Sequence, residues 1–144
     1  MDSLQINTGE KRIPITRDGV SAGELVFNPS DTLFAERFYK LIGEFENKLT
    51  QYQVKSVVLE ADNTPNGNDL PANMGARLEL VKEACEYARE SIDKVFGAGT
   101  SQTVFGDTYS LDSVQQFFEG ITPYIKTART EKVAKYTKIK REKK

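Results

Sequence analysis

The sequence has no histidine and no tryptophan, and it has only one cysteine in 144 residues. The absence of histidine excludes histidine-based acid–base catalysis and histidine-assisted nucleophile triads. A single cysteine cannot form an intramolecular disulfide or supply the clustered ligands of a zinc site, and it is typical of a reducing compartment. These absences predict that the protein is not an enzyme and that it holds no metal and no cofactor.

Long apolar runs are also missing. No uninterrupted stretch of apolar residues is longer than three, whereas a membrane-spanning helix needs about 18. The N-terminal segment lacks the apolar core of an export signal. We therefore expect a soluble protein that has no membrane partner and stays in the compartment where it is made.

The formal net charge of −1 hides an uneven distribution of charge. Residues 126–144 contain nine basic and two acidic residues and carry +7, so the other 125 residues carry −8. An acidic body with a basic end is typical of a protein with an interaction arm. Alternatively, a lysine-rich end merely solvates the last turns of a helix. The sequence leaves both interpretations open.

The first part of the chain has the alternation of β-strands. Apolar residues alternate with polar ones at three places, and glycine-containing turn signals separate these places. Pro14 lacks an N–H and therefore indicates an edge strand. We predict strands over about residues 3–27, arranged as a hairpin or meander with one apolar face. The alternating residues are Leu4 and Ile6, Ile13 and Ile15, and Leu25 and Phe27.

Three helices are predicted to follow the strands. Asn28 is a strong N-cap and Pro29 fits the first helical turn. The first helix has a wide aromatic-rich apolar face, and the second has an apolar seam that steps by three and four and includes Leu78, Val81 and Cys85. The predicted helices cover about residues 29–55, 71–96 and 110–120.

The prediction for the whole chain is an α+β fold: a short N-terminal antiparallel β-hairpin or meander packed on a bundle of three to four α-helices. Residues 97–109 are predicted to be a connection. Gly120 is predicted to stop the third helix, and Thr122 with Pro123 to start the next one. Residues 1–125 then form a single domain, and residues 126–144 form a basic C-terminal helix or tail that is partly disordered.

No motif in the sequence carries recognisable catalytic chemistry. The GAGT stretch at residues 97–100 lacks the lysine of a phosphate-binding loop and follows a helix, so a helix cap explains it better. Paired carboxylates such as Glu79 and Glu83 have basic residues between them, which is typical of a solvated helix face. Residues 62–69 lack the order and the closing glutamate of a calcium loop. Cys85 is predicted to be a small buried side chain on the apolar seam.

Three phrases of the sequence resemble small tail-morphogenesis proteins of long-tailed bacteriophages and prophages. They are FNPSDTLFAERFYKLIGEFE from Phe27, ACEYARESIDKVFGAGTSQTVFGD from Ala84 and FFEGITPYI from Phe117. The category that they resemble most is the tail-assembly chaperone, and the resemblance runs from about Gly23 to Tyr136. Its most specific parts are the NPSD helix start and the VFG-x-GT-(x)4-FG element from Val95 to Gly106. The basic end from residue 137 lies outside the resemblance.

The resemblance implies a non-enzymatic protein of the bacterial host cytoplasm that binds the tape-measure protein and keeps its long apolar helices from aggregating. Aromatic residues at helical spacing would anchor the partner, and a basic stripe would steer it. We expect at least half of these aromatic residues to be buried, and an exposed apolar seam would favour a homo-oligomer. The competing hypothesis is a nucleic-acid-binding accessory protein that uses residues 126–144. The candidate partner-binding residues are Phe34, Phe38, Phe45, Phe105, Phe117, Phe118, Arg129, Lys132, Lys135 and Lys138.

Overall fold

A computed structural model of the chain describes residues 2–65, 67 and 70–142, and outside these gaps it describes side chains as far as Arg129. An N-terminal antiparallel hairpin of two strands is followed by four helices, which confirms the predicted α+β fold. The elements are β1 (Lys11–Arg17), β2 (Val20–Phe27), α1 (Thr32–Ala61), α2 (Met74–Phe96), α3 (Thr100–Phe105) and α4 (Leu111–Glu142).

The two strands are joined by a tight turn at Asp18-Gly19. Both residues have positive φ, 53° and 80°, which is the backbone of a type I′ hairpin turn and explains the Asp-Gly pair. The prediction that strands begin near residue 3 is wrong, because β1 begins at Lys11 and residues 2–10 form no strand. Turn chemistry decides the local conformation here, since the Asn7 side chain accepts the backbone N–H of Gly9 at 3.1 Å.

The first helix begins at Thr32, three residues later than it would with Asn28 as its N-cap. The Asn28 side chain accepts the Ser30 N–H at 3.0 Å, so it stabilises a turn before the helix and is not the N-cap. Asp31 is the N-cap and accepts the Leu33 N–H at 3.0 Å. The helix then continues to Ala61, six residues past its predicted end.

The predicted connection between residues 97 and 109 contains a short helix, α3. Its first turn is capped from a distance, because the carboxylate of Asp93 in α2 accepts the Ser101 N–H at 2.8 Å and the Ser101 hydroxyl at 3.0 Å. Gly97 and Gly99 take positive φ values of 120° and 87° between the two helices. The glycine-rich element therefore folds α3 back onto the end of α2.

The predicted break at Gly120 is wrong, because α4 is continuous from Leu111 to Glu142. The Thr122 hydroxyl does not cap a new helix but donates to the Phe118 carbonyl at 2.6 Å, within the same helix. Pro123 lies inside the helix and removes one backbone donor. Core packing compensates for this loss, since Ile121 and Ile125 on either side are buried.

The core lies where α1, α2 and α4 meet below the hairpin. Phe118 of α4 packs near Phe45 of α1, with 5.4 Å between ring centroids, and Arg129 donates to the Ser30 carbonyl at 3.2 Å, so α4 runs antiparallel to α1. The buried hydrophobic residues are Leu25, Phe27, Phe34, Ala35, Phe38, Leu41, Phe45, Ala84, Cys85, Ala88, Ile92, Phe105, Val114, Phe117, Ile121 and Ile125.

The far ends of α1 and α2 extend beyond this core as a pair. Among the described side chains, α1 has no buried residue after Phe45 and α2 has none before Ala84. We call residues 50–61 of α1 together with residues 74–83 of α2 the helical arm. No helix among the described residues has the length and apolar character needed to cross a membrane.

Candidate interaction surface

The helical arm exposes three valines on one side of α1. Val54, Val57 and Val58 are 63%, 66% and 69% exposed. Their spacing of three and four places them on one side of the helix. At about 100° per residue this side is opposite Tyr52 and Leu59, which are partly buried. We call the three exposed residues the valine face.

The other side of α1 packs on α2, which fixes the direction of the valine face. Burial raises the pKa of Tyr52, and the nearby Glu83 carboxylate of α2 raises it further. Lys48, one turn before Tyr52 on α1, has its ammonium 5.5 Å from the centre of the Tyr87 ring of α2, so this side of α1 faces α2. The valine face consequently points away from α2.

Side chains from α2 hold the end of α1 in place. Asn73 donates to the Leu59 carbonyl at 2.7 Å, and Arg77 donates to the carbonyls of Leu59 and Asp62 at 3.1 and 2.8 Å. The Leu59 carbonyl also accepts the backbone N–H of Asp62 at 3.2 Å, and the Asp62 carbonyl lies just past the last residue of the helix. Asp62 is itself ordered by Thr64, whose hydroxyl and N–H donate to it and hold the pKa of its carboxyl below the usual range. These hydrogen bonds from Asn73 and Arg77, which we call the Arg77 clamp, hold the end of α1 that carries two of the valines.

The seam predicted for α2 has two different parts. Cys85, Ala88 and Ile92 are buried, as the pattern indicates, but Leu78 and Val81 are 63% and 41% exposed. The periodicity is the same along the helix, and the difference arises because the first two lie on the helical arm, outside the core. The arm therefore carries exposed apolar residues on both of its helices.

Comparison with known protein families shows to which family the chain belongs. The sequence model of a protein family matches residues 22–144. The chain belongs to DUF6673, a family of unknown function. The DUF6673 match begins within β2 and continues through the basic end to Lys144. Searches of curated proteins and of solved structures gave no match.

Five of the six candidate phenylalanines are part of the hydrophobic core. Phe34, Phe38, Phe45, Phe105 and Phe117 are each no more than 8% exposed, and Phe118 is partly buried. The expectation that at least half would be buried is confirmed. Their rings pack against one another, so in this conformation the five buried residues stabilise the fold and cannot anchor a partner.

The basic candidates lie at the end of α4. Arg129 is partly buried, and its contact with the Ser30 carbonyl ties α4 to the start of α1. Lys132, Lys135 and Lys138 lie in the helical backbone of α4, but their side chains are outside the described part of the structure. The DUF6673 match includes this segment. Steering of a partner, and the competing nucleic-acid hypothesis, stay predictions.

The described residues contain no group of three or more His, Cys, Asp or Glu side chains that could hold a metal ion. Cys85, the one thiol, is 1% exposed, and burial raises its pKa. A buried thiol with a raised pKa is a poor nucleophile. This environment fits the predicted structural role.

The raised pKa of Cys85 leads to a pH-dependence of stability. The folded state keeps the thiol protonated, whereas the unfolded chain releases the proton above a pH of about 8.5. Folding stability should therefore be intact below that pH and fall as the pH rises above it. We expect Cys85→Ala to lose less stability than the natural chain between pH 7.5 and pH 9.5, measured by urea unfolding. An equal loss in both proteins would contradict the prediction.

Proposed function

We propose that this chain is a bacteriophage tail-assembly chaperone that binds the apolar helices of a tape-measure protein through its valine face. In this proposal it acts without catalysis in the cytoplasm of the bacterial host. The observation that supports it is an exposed apolar stripe on a clamped, preformed helix. Such a stripe suits a helical partner, because helix-to-helix recognition uses anchors three and four residues apart.

The residue type of the valine face also favours binding. Valine is branched at Cβ and has one strongly preferred rotamer in a helix. Val54, Val57 and Val58 therefore lose little side-chain entropy when a partner covers them. The Arg77 clamp adds to this advantage, because the helix end does not have to become ordered at the moment of binding.

The size of the face indicates how the partner is held. The three valines expose roughly 300 Å² in all, whereas a stable interface buries about 800 Å² on each side. One copy should therefore bind a single helix weakly. A long helical partner has many apolar helical segments. Several molecules of this protein could therefore bind along one partner and hold it firmly by multivalent contact. Leu78 and Val81 on α2 give the arm further exposed apolar residues outside the valine face.

Co-expression with the tape-measure protein encoded in the same phage or prophage tests the proposal. The natural chain should keep that protein soluble and co-purify with it. The triple variant V54Q/V57Q/V58Q should lower the co-purified amount at least about tenfold. Glutamine removes apolar surface without adding charge, and its helix propensity is better than that of valine, so the arm itself should stay folded.

The matched control is Leu33→Gln. Leu33 is 60% exposed on the same helix α1, but it lies in the first turn, far from the arm. This variant should co-purify as well as the natural chain. Equal binding by the triple variant would overturn the assignment of the valine face, and no binding by the natural chain at low salt would overturn the function.

A further inference from the structure

An open groove of about 460 Å³ lies between β1 and α4. Ile13 and Ile15 form its strand side, and Phe117 and Ile121 form much of its helix side. Gly120 also lines it, and nothing lies within 4 Å of the place where a side chain at this position would begin. Polar side chains of β1 and α4 also line the groove, so its apolar part is the strip between the two isoleucines and Phe117. The groove is wide at Gly120 because α4 has no side chain there.

The strand side of the groove is also a sheet edge. In the described part of the chain, the sheet contains β1 and β2 alone, so β1 pairs on one side only. Main-chain groups in an antiparallel strand point alternately to the two sides. Pro14 has no N–H to give to β2, so it and its alternate neighbours Arg12 and Thr16 direct their main-chain groups to the free edge. An extended segment could pair there and place alternate side chains in the groove.

The N-terminal segment has the pattern that this groove requires. Leu4 and Ile6 are two residues apart and therefore lie on the same side of an extended chain. They are 87% and 71% exposed, more than any other large hydrophobic residue described. Residues 2–6 extended would measure about 17 Å, which is the length of residues 12–16 of β1.

The segment does not reach the groove of its own chain. The Asn28 side chain, directly after β2, donates to the Thr8 carbonyl at 3.0 Å. Gly9 lies so close to Ser30 that a Cβ on it would be 2.6 Å from the Ser30 Oγ. Residues 8 and 9 are thus held at the end of β2, and the exposed Leu4 and Ile6 before them do not line the groove of their own chain.

We propose that two copies of this chain exchange their N-terminal segments, so that residues 2–6 of each copy lie along β1 in the groove of the other. Leu4 and Ile6 lie against the apolar strip of the groove, and the main chain pairs with Arg12 and Thr16. The exchange is reciprocal, so the assembly closes as a dimer with twofold symmetry. This proposal does not depend on tape-measure binding, because it concerns the protein alone.

Sedimentation over a range of concentrations tests the exchange with two kinds of variant. L4Q/I6Q removes the apolar side chains of the segment, and Gly120→Leu fills the groove. Each should raise the dimer dissociation constant at least about tenfold. Leucine has a higher helix propensity than glycine, so Gly120→Leu should not lower the melting temperature.

Each variant has a matched control. Gly43→Leu makes the same change at an exposed position of α1 that also has open space around it. Val20→Gln removes an apolar side chain that is 68% exposed at the hairpin turn. Both controls should dimerise like the natural chain.

Three results would overturn the proposal. The first is a natural chain that stays monomeric at about 100 µM, and the second is a dimer that neither variant weakens. The third is slow amide exchange at Ile6 in the monomer, because it would place the segment in the groove of its own chain. Slow exchange that becomes fast when the dimer is diluted is the supporting result.

Discussion

Replacing Phe38 by alanine is expected to lower the free energy of unfolding by about 3–5 kcal/mol. Phe38 is fully buried, and its ring centroid lies 6.0 Å from that of Phe96 and 6.4 Å from those of Phe34 and Phe118. The substitution would leave a cavity at the junction of α1, α2 and α4, where the surrounding rings cannot all move inward. Urea denaturation followed by circular dichroism measures the loss.

The control for this prediction is Leu33→Ala. It also shortens a large apolar side chain to alanine in α1, but Leu33 is 60% exposed. We expect a change of at most about 0.5 kcal/mol. A loss below about 1 kcal/mol for Phe38→Ala would contradict the placement of this ring at the centre of the core.

Replacing Gly106 by alanine is expected to cost about 2–3 kcal/mol. Gly106 has a φ of 61°, and a Cβ at this position would lie 2.8 Å from the Cζ of Arg17. The Arg17 guanidinium donates to the Thr103 carbonyl at 2.8 Å and joins β1 to α3. The variant therefore strains the backbone and displaces a group that holds the hairpin on the helices.

A double-mutant cycle separates these two effects. Gly99→Ala has the strain of a positive φ, 87°, but no neighbour within 4 Å, so it should cost about 1 kcal/mol. In an Arg17→Ala background the cost of Gly106→Ala should fall but stay above that of Gly99→Ala, because Gly106 has a ψ of −136° and lies outside the left-handed region that Gly99 occupies. If Gly106→Ala lowers the stability equally with and without Arg17, contact with the guanidinium does not contribute to the loss, and the prediction is wrong.

The sequence predicted the elements whose signals are local. The Asp18-Gly19 pair has a strong preference for the hairpin turn, and the apolar stripe of α1 needs only the helical period. The short helix α3 could not be predicted in this way, because its cap is Asp93, eight residues before Ser101 in another helix. The continuity of α4 through Pro123 depends on tertiary packing of its neighbours, which overrides the local preference.

The candidate surface was less predictable than the fold. Large aromatic residues fill a core because they bury the most area, so five of the six proposed anchors became structural. The valine face lies off the stripe that identifies α1, and Val54, Val57 and Val58 have the composition of a buried segment. The three valines are exposed because the helical arm extends beyond the core. How far the core extends depends on where α4 begins, and the local sequence of α1 does not contain that information.

The contact between Arg17 and Thr103 joins residues 86 positions apart, and that between Arg129 and Ser30 joins residues 99 positions apart. At 5–20 residues per second, a ribosome needs roughly 4–20 s to make the chain between each pair. The hairpin is therefore synthesised long before α3, the helix on which it packs. During that time Leu25 and Phe27 are part of a nascent chain that still lacks the helices needed to complete the core. The rate of translation, and not the rate of hairpin formation, therefore sets the earliest time at which the native core can form.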